Sequence, residues 1–218
     1  MSQKKLKVKG FLFDLDGTIV DSRAAYLEAA RTAFSALGKE PLGTCDALDI
    51  PKRLEQRLPI DDLVGANVNS FLDVYLKTYY SVTKTLTKPF PNVQATLSTL
   101  SKKAKLALIT MRFVPKAAVT EELERFGLAD CFSHVVTALD THKPKPSPEA
   151  LIKAVKVMDV NMCDCVIVGD SVTDVRAGKE AGALTAAVLS GLFSRQELSR
   201  EKPDLILKDV TELLEFVD

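Results

Sequence analysis

The sequence predicts an α/β fold in which a Rossmann-like parallel sheet carries a small, all-helical inserted domain. Beyond residue 89, apolar runs of strand length alternate with segments whose apolar residues recur at helical spacing. Such alternation is typical of a parallel sheet with helices on both faces. Between Ser22 and Lys88, by contrast, the spacing is helical and no segment has convincing strand character. A chain of 218 residues accommodates one large domain with such an insertion.

The first strand is predicted from Val8 to Leu15, an apolar run that breaks at Gly17. This segment is too apolar to stand alone, so it must belong to the same sheet as the later strands. The helical block therefore interrupts the chain between the first strand and its crossover helix.

The helical block is predicted to contain four segments. The apolar stripe of the first stops before Gly38, and Pro51 is placed at the start of a short second helix. Asp61 and Asp62 are predicted to cap the third helix, and residues 71–79 carry an apolar stripe in the fourth.

The prolines of the segment Lys88–Asn92 mark the end of this block, because each disfavours helix in the residue before it. The elements predicted after it are helix 93–102, strand 106–110, helix 115–126, strand 134–138, helix 148–158, strand 165–169, helix 174–181, strand 185–189, strand 205–207 and a closing helix. We therefore expect an α/β core domain made of residues 1–20 and 89–218, with a helical domain of residues 21–88 inserted in it.

Composition restricts the possible functions. The 29 basic residues balance the 29 acidic residues, so no overall field attracts nucleic acid or anionic lipid. Acidic residues interrupt the first apolar run too early for a signal peptide. The weakly polar stretch Ala181–Phe193 is shorter than the ~20 residues that span a bilayer. We expect a cytoplasmic protein that binds neither nucleic acid nor membrane, and its oligomeric state is left open.

The four cysteines have no spacing typical of a metal finger, so free thiols are expected. His134 and His142 have no identifiable acidic partner in the sequence, and we interpret both as structural or solvent-facing.

Polar residues follow several predicted strands. Asp14 and Asp16 end the first strand, Thr110 ends the next, and Asp170 and Asp174 follow the fourth. In an open parallel sheet, ligands bind beyond the carboxyl ends of the strands, so these side chains should meet in one crevice. A loop after the third strand adds Lys143 to this set.

The chemistry of this set indicates phosphate and a divalent cation. Carboxylates that converge from two strand ends, such as Asp14 and Asp170, repel each other unless a cation joins them, and oxygen-only ligands suit Mg²⁺. A lysine and a threonine hydroxyl in the same crevice can bind phosphate oxygens. A carboxylate can also attack phosphorus and form an aspartyl-phosphate.

These residues resemble the haloacid dehalogenase (HAD) superfamily, in the subgroup whose helical cap is inserted after the first motif. The resemblance covers essentially the whole chain, and its four motifs occur in order as "DLDGT", "LIT", "KPKPSP" and "GDSVTD".

For the reacting groups, the resemblance implies that Asp14 is the nucleophile and a Mg²⁺ ligand. Asp16 would protonate the leaving oxygen and then activate water, while its backbone carbonyl binds the metal. Asp170 would bind Mg²⁺, and Asp174 would bind it or orient its water molecules. The helical domain, residues 21–88, would act as a lid.

For the substrate, the resemblance implies that Thr110 and the amide of Met111 hold the transferring phosphoryl group. Lys143 would neutralise charge on Asp14 and on the phosphate. Lys145 is an alternative, but the family pattern places the catalytic lysine before the first proline, Pro144.

The expected function is a Mg²⁺-dependent phosphatase that hydrolyses a small phosphate monoester, phosphoglycolate-like or a sugar phosphate, through an aspartyl-phosphate. A sugar phosphomutase similar to β-phosphoglucomutase is the alternative, because it would use the same core residues. The natural ester and the cap residues that contact it are left open by the sequence.

Overall fold

The computed structural model describes residues 7–217, so residues 1–6 and 218 of the predicted core domain lie outside it. Six parallel strands form the main sheet in the order β5-β4-β1-β6-β7-β8. These strands are β1 (Gly10–Phe13), β4 (Lys105–Ile109), β5 (His134–Val136), β6 (Cys165–Gly169), β7 (Leu184–Val188) and β8 (Leu205–Leu207). The predicted α/β class with a parallel sheet is confirmed.

Strand β1 lies between β4 and β6, and this position determines which strand ends are neighbours. Phe13 pairs with Leu108 on one side and with Val168 on the other. The amide of Asp14 continues the ladder by donating to the carbonyl of Val168 over 2.9 Å. The residues that follow β1, β4 and β6 therefore reach the same edge of the sheet.

Side chains alternate between the two faces of the sheet along each strand, so both faces carry apolar residues. Helices therefore cover both faces. Phe11 and Phe13 pack in a core with Leu97, whereas Leu12 packs in a second core with Leu151 and Ala177. The helices of this unit are α5 (Val93–Ser101), α6 (Lys116–Arg125), α7 (Glu149–Met158), α8 (Val172–Ala181), α9 (Arg195–Arg200) and α10 (Leu213–Phe216).

The chain divides into two compact units, of which the smaller is Asp21–Lys88. Its helices are α1 (Arg23–Ala36), α2 (Thr44–Glu55), α3 (Asp61–Val64) and α4 (Val68–Leu86). They enclose an apolar core of their own that includes Phe34, Phe71 and Tyr75. Short strands β2 (Val20–Asp21) and β3 (Lys88–Pro89) form a separate two-stranded sheet.

Two predictions within the smaller unit are wrong. Pro51 does not open a helix but lies inside α2, which begins at Thr44. Proline cannot donate a backbone hydrogen bond and usually destabilises a helix interior. Ala47 and Ile50 of the same helix are buried, and we attribute the stability of α2 to their packing. Asp61 and Asp62 are the first residues of α3 rather than its caps. Their negative charges still interact favourably with the positive, N-terminal end of the helix dipole.

Candidate active site

Three aspartates converge at the carboxyl edge of the main sheet. Asp14 follows β1, Asp170 follows β6, and Asp174 lies in the first turn of α8. Each offers a carboxylate oxygen within 4.8 Å of the others, and all three residues are buried. Buried carboxylates this close repel each other, so the group needs a positive charge among them. Its oxygen-only donors fit a hard divalent cation such as Mg²⁺.

Lys145 supplies a positive charge within this group. Its Nζ donates to Asp14 Oδ1 over 2.6 Å and to Asp174 Oδ1 over 2.6 Å. The lysine is only 1% exposed, so water screens these ion pairs weakly. An ammonium held in this way can neutralise charge on Asp14 and on a group that reacts there.

The prediction that placed Lys143 in this crevice is wrong. Lys143 is exposed, and its backbone amide donates to Glu149 Oε2 over 2.9 Å. The K-P-x-P pattern occurs twice in this loop, starting at Lys143 and again at Lys145. The second occurrence ends at Pro148, immediately before α7, and this spacing to the helix could have identified Lys145.

Both oxygens of Asp170 are held by residues from other loops. The hydroxyl of Thr18 donates to Oδ1 over 3.2 Å, and the amide of Leu192 donates to Oδ2 over 3.2 Å. A Cβ at Gly17 would lie 2.6 Å from Asp170 Oδ2, and one at Gly191 would lie 1.7 Å from the same atom. Glycine is therefore required at both positions for the carboxylate to occupy its place.

Asp174 is oriented by the start of its own helix. Its Oδ2 accepts from the amide of Ser171 over 3.2 Å and from the hydroxyl of Ser171 over 2.7 Å. The Ser171 hydroxyl oxygen in turn accepts from the amide of Asp174, which completes a capping box. Because the cap occupies Oδ2, Oδ1 is directed at Lys145.

Asp16 has a different environment from the three clustered aspartates. Its two carboxylate oxygens accept from Arg112, at 2.7 Å from Nε and 2.6 Å from Nη2. Arg112 also pairs through Nη1 with Glu122, which is buried on α6. Neither Arg112 nor Glu122 is predicted from the sequence as a residue of this site. A signal for Arg112 was its position two residues after Thr110, at the end of a strand predicted to border the crevice.

Thr110 and Met111 follow β4, next to the end of β1. Thr110 is buried, its amide donates to the carbonyl of Val136, and its Oγ1 accepts from the amide of Arg112 over 3.2 Å. Met111 is half-buried. Their roles toward a phosphoryl group stay predictions.

Neither histidine is found among the buried aspartates of the site. His134 begins β5 and therefore lies at the opposite end of its strand, and partial burial lowers the pKa of its imidazole. His142 is exposed. All four cysteines have free thiols, and burial raises the pKa of Cys165 to about 11.

No helix within residues 7–217 is both long enough and apolar enough to cross a membrane.

Several known proteins are similar to this chain in sequence and fold. Residues 11–188 match the family model of haloacid dehalogenase-like hydrolases. A phosphoglycolate phosphatase of Neisseria meningitidis is 31% identical, over 95% of this chain and 93% of the relative. A pyrophosphatase of Halalkalibacterium halodurans is 26% identical, over 97% of this chain and 98% of the relative. A solved structure from Thermotoga maritima, described as a β-phosphoglucomutase, has a TM-score of 0.71 at 25% identity and covers 95% of this chain and 97% of that chain.

Proposed function

Since the chain belongs to the haloacid dehalogenase-like hydrolases and acts on phosphate esters, we propose that it is a Mg²⁺-dependent phosphatase of small phosphate monoesters that works through an aspartyl-phosphate. The observation that carries this proposal is the buried group of Asp14, Asp170 and Asp174 with Lys145 among them. Such a group combines a nucleophile, ligands for a hard cation and a fixed positive charge.

Asp14, Asp170 and Asp174 would hold the Mg²⁺, together with the backbone carbonyl of Asp16. The ion supplies charge stabilisation for the transferring phosphoryl group when it is bound. Asp174 has one oxygen in its helix cap, so it either contributes the other oxygen or orients water at the metal.

The reaction proceeds in two steps on the residues of this chain. A carboxylate oxygen of Asp14 attacks phosphorus, the bond to the leaving oxygen breaks, and that oxygen takes a proton from Asp16. Asp16 then accepts a proton from water, the water oxygen attacks phosphorus, and the bond to Asp14 breaks to release phosphate. The hydroxyl of Thr110 and the amide of Met111 hold the phosphoryl oxygens. Lys145 takes the neutralising role that sequence analysis assigned to Lys143.

The proposed substrate class is supported by the relatives rather than by these core residues. The similar proteins named above include a phosphoglycolate phosphatase and a pyrophosphatase, both of which transfer phosphoryl groups to water. These relatives favour hydrolysis over the phosphomutase alternative. We propose a phosphoglycolate-like ester or a sugar phosphate as substrate, with residues 21–88 as the lid that selects it.

The test is hydrolysis of 2-phosphoglycolate, glucose 1-phosphate, pyrophosphate and p-nitrophenyl phosphate with EDTA, with added Mg²⁺ and with Ca²⁺. Activity should vanish in EDTA and return with Mg²⁺. It should stay low with Ca²⁺, which has a higher coordination number and a more flexible coordination geometry. Turnover of glucose 1-phosphate that needs a sugar bisphosphate would instead support a mutase.

Rapid quenching followed by intact-mass measurement checks the covalent step in the same experiment. Asp16→Asn should accumulate one phosphate after reaction with p-nitrophenyl phosphate, because it lacks the base that activates water, and Asp14→Asn should carry none. Full activity in EDTA, or a label on Asp14→Asn, would refute the proposed mechanism.

A further inference from the structure

Arg112 and Asp16 form a two-point ion pair beside the three clustered aspartates. Nε and Nη2 of the guanidinium donate to the two different oxygens of the carboxylate, over 2.7 and 2.6 Å. The side chain of Arg112 is 5% exposed and that of Asp16 is 13% exposed. A paired fork of this kind fixes both the position and the plane of a carboxylate, which a single hydrogen bond cannot do.

Glu122 completes this arrangement from the opposite side of the guanidinium. It lies on α6, is 5% exposed, and accepts from Nη1 of Arg112. The backbone of Arg112 is held as well, because its amide donates to Thr110 Oγ1 and its carbonyl accepts from the amide of Ala138. Arg112 is therefore fixed at its main chain and at every nitrogen of its guanidinium.

This geometry separates two possible roles for Arg112. An arginine that binds a substrate phosphate needs donors that are directed at the ligand. Here three of the five guanidinium N–H donors, one on each nitrogen, point to carboxylates, and the side chain is almost completely buried. Burying two carboxylates around one guanidinium costs free energy, because charged groups lose their hydration. Such an arrangement therefore points to a role in function rather than in stability.

We propose that Arg112 is the positioning residue for Asp16, and that Glu122 holds Arg112 in the orientation this requires. The proposal rests on the proposed function, in which Asp16 handles the proton of the leaving group and then that of the attacking water. Arg112 acts through Asp16 and does not itself contact the reacting phosphoryl group.

The expected kinetic signature is a dependence on the leaving group. An alkyl ester such as 2-phosphoglycolate needs a proton on its leaving oxygen, whereas p-nitrophenolate leaves without one. Misplacing Asp16 should therefore reduce kcat for the alkyl ester by about 10²-fold, the lower end of what general acid–base catalysis contributes. Phosphorylation of Asp14 by p-nitrophenyl phosphate should change far less, so the aspartyl-phosphate should accumulate.

The experiment compares Arg112→Lys, Arg112→Gln and Glu122→Gln with Arg125→Gln, which removes an exposed arginine on the same helix as Glu122. All are assayed with Mg²⁺ on both esters and by intact mass after rapid quenching. The Arg112 variants should have a selectively lower kcat for the alkyl ester, with KM nearly unchanged. They should also retain phosphate on Asp14. Glu122→Gln should show the same pattern more weakly, and Arg125→Gln should match the wild type.

A double-mutant cycle distinguishes positioning from a general structural role. Adding Arg112→Gln to Asp16→Asn should cause no further loss on the alkyl ester, because the group that Arg112 positions is already absent. Additive losses, or an equal loss on both esters with a raised KM, would overturn the proposal. If Arg112→Gln fails to fold, Arg112→Lys and Glu122→Gln decide the same question. A wild-type chain without activity on any ester would refute the proposed function instead.

Discussion

At the scale of single residues, Lys145 joins two aspartates that are far apart in the sequence. Its Nζ contacts Asp14 and Asp174, which lie 131 and 29 residues away along the chain. A lysine in this position offsets part of the negative charge of the carboxylates before any substrate binds. It also restricts where the nucleophilic oxygen of Asp14 can point.

Replacing Lys145 with methionine should lower kcat for phosphate ester hydrolysis by about 10²–10³-fold, the loss typical when a preorganised charge-stabilising donor is removed. Methionine keeps an unbranched side chain that is one atom shorter, but it removes the charge that Asp14 and Asp174 share. Steady-state kinetics at saturating Mg²⁺ measures this effect.

Lys143→Met is the matched control, because Lys143 is an exposed lysine two residues earlier in the same loop. It should stay within a few-fold of the wild-type rate. A large loss for Lys143→Met together with an active Lys145→Met would contradict the placement of the lysine described here.

At the scale of elements, the start of α8 depends on how closely this helix approaches the sheet. Gly178 lies in the middle of α8, and a Cβ there would meet Ile167 Cγ2 at 2.3 Å and Thr185 Cγ2 at 2.6 Å. These atoms belong to β6 and β7. The missing side chain therefore lets α8 lie directly on the strands. Asp174 lies in the first turn of α8, so its position depends on this close packing.

Gly178→Ala should lower the free energy of unfolding by about 1–3 kcal/mol, because overpacking outweighs the better helix propensity of alanine. Urea denaturation of the apoprotein measures the change. Glu180→Ala, an exposed change two residues later in α8, should stay within about 0.5 kcal/mol of the wild type. A gain in stability for Gly178→Ala would show that propensity, and not close packing, dominates at this position.

At the scale of the whole molecule, the two compact units have separate apolar cores. The core of Asp21–Lys88 is centred on aromatic rings, with Phe71 at 5.1 Å from Phe34 and 5.6 Å from Tyr75 between ring centroids. The larger unit instead buries aliphatic side chains on both faces of its sheet, with the aromatic rings of Phe11 and Phe13 on one face. Separate cores allow one unit to lose stability without the other.

Phe71→Ala should destabilise the smaller unit by about 3–5 kcal/mol, because Phe71 is completely buried and its removal leaves a cavity. Amide hydrogen exchange should then rise across residues 21–88 while the amides of β1, β4 and β6 stay protected. Leu76→Ala, on the exposed side of the same helix, is the control and should leave exchange unchanged. An equal rise in both units would mean that they unfold as one.

The sequence by itself determined the order of elements and the acids at the strand ends. Apolar runs of strand length, helical spacing of apolar residues, and breaks at Gly17 and around Pro89 are local properties, because each depends only on residues close together in the sequence. Strand β6 and strand β8 have the predicted limits, and the other strands differ from prediction by a few residues at their ends. Asp14, Asp170 and Asp174 were identifiable because they follow apolar runs whose ends must meet in a parallel sheet.

Only the tertiary structure decided which side chains pair. Lys143 and Lys145 both precede proline, and although the spacing to α7 singles out Lys145, only the folded chain brings its Nζ to Asp14 and Asp174. The pair of Asp16 and Arg112 joins residues 96 positions apart. It forms because β1 and β4 are neighbours in the sheet, and strand order is a property of the packed chain rather than of any segment. Glu122 contacts Arg112 for the same reason, since only the packing of α6 brings its carboxylate within reach of Nη1.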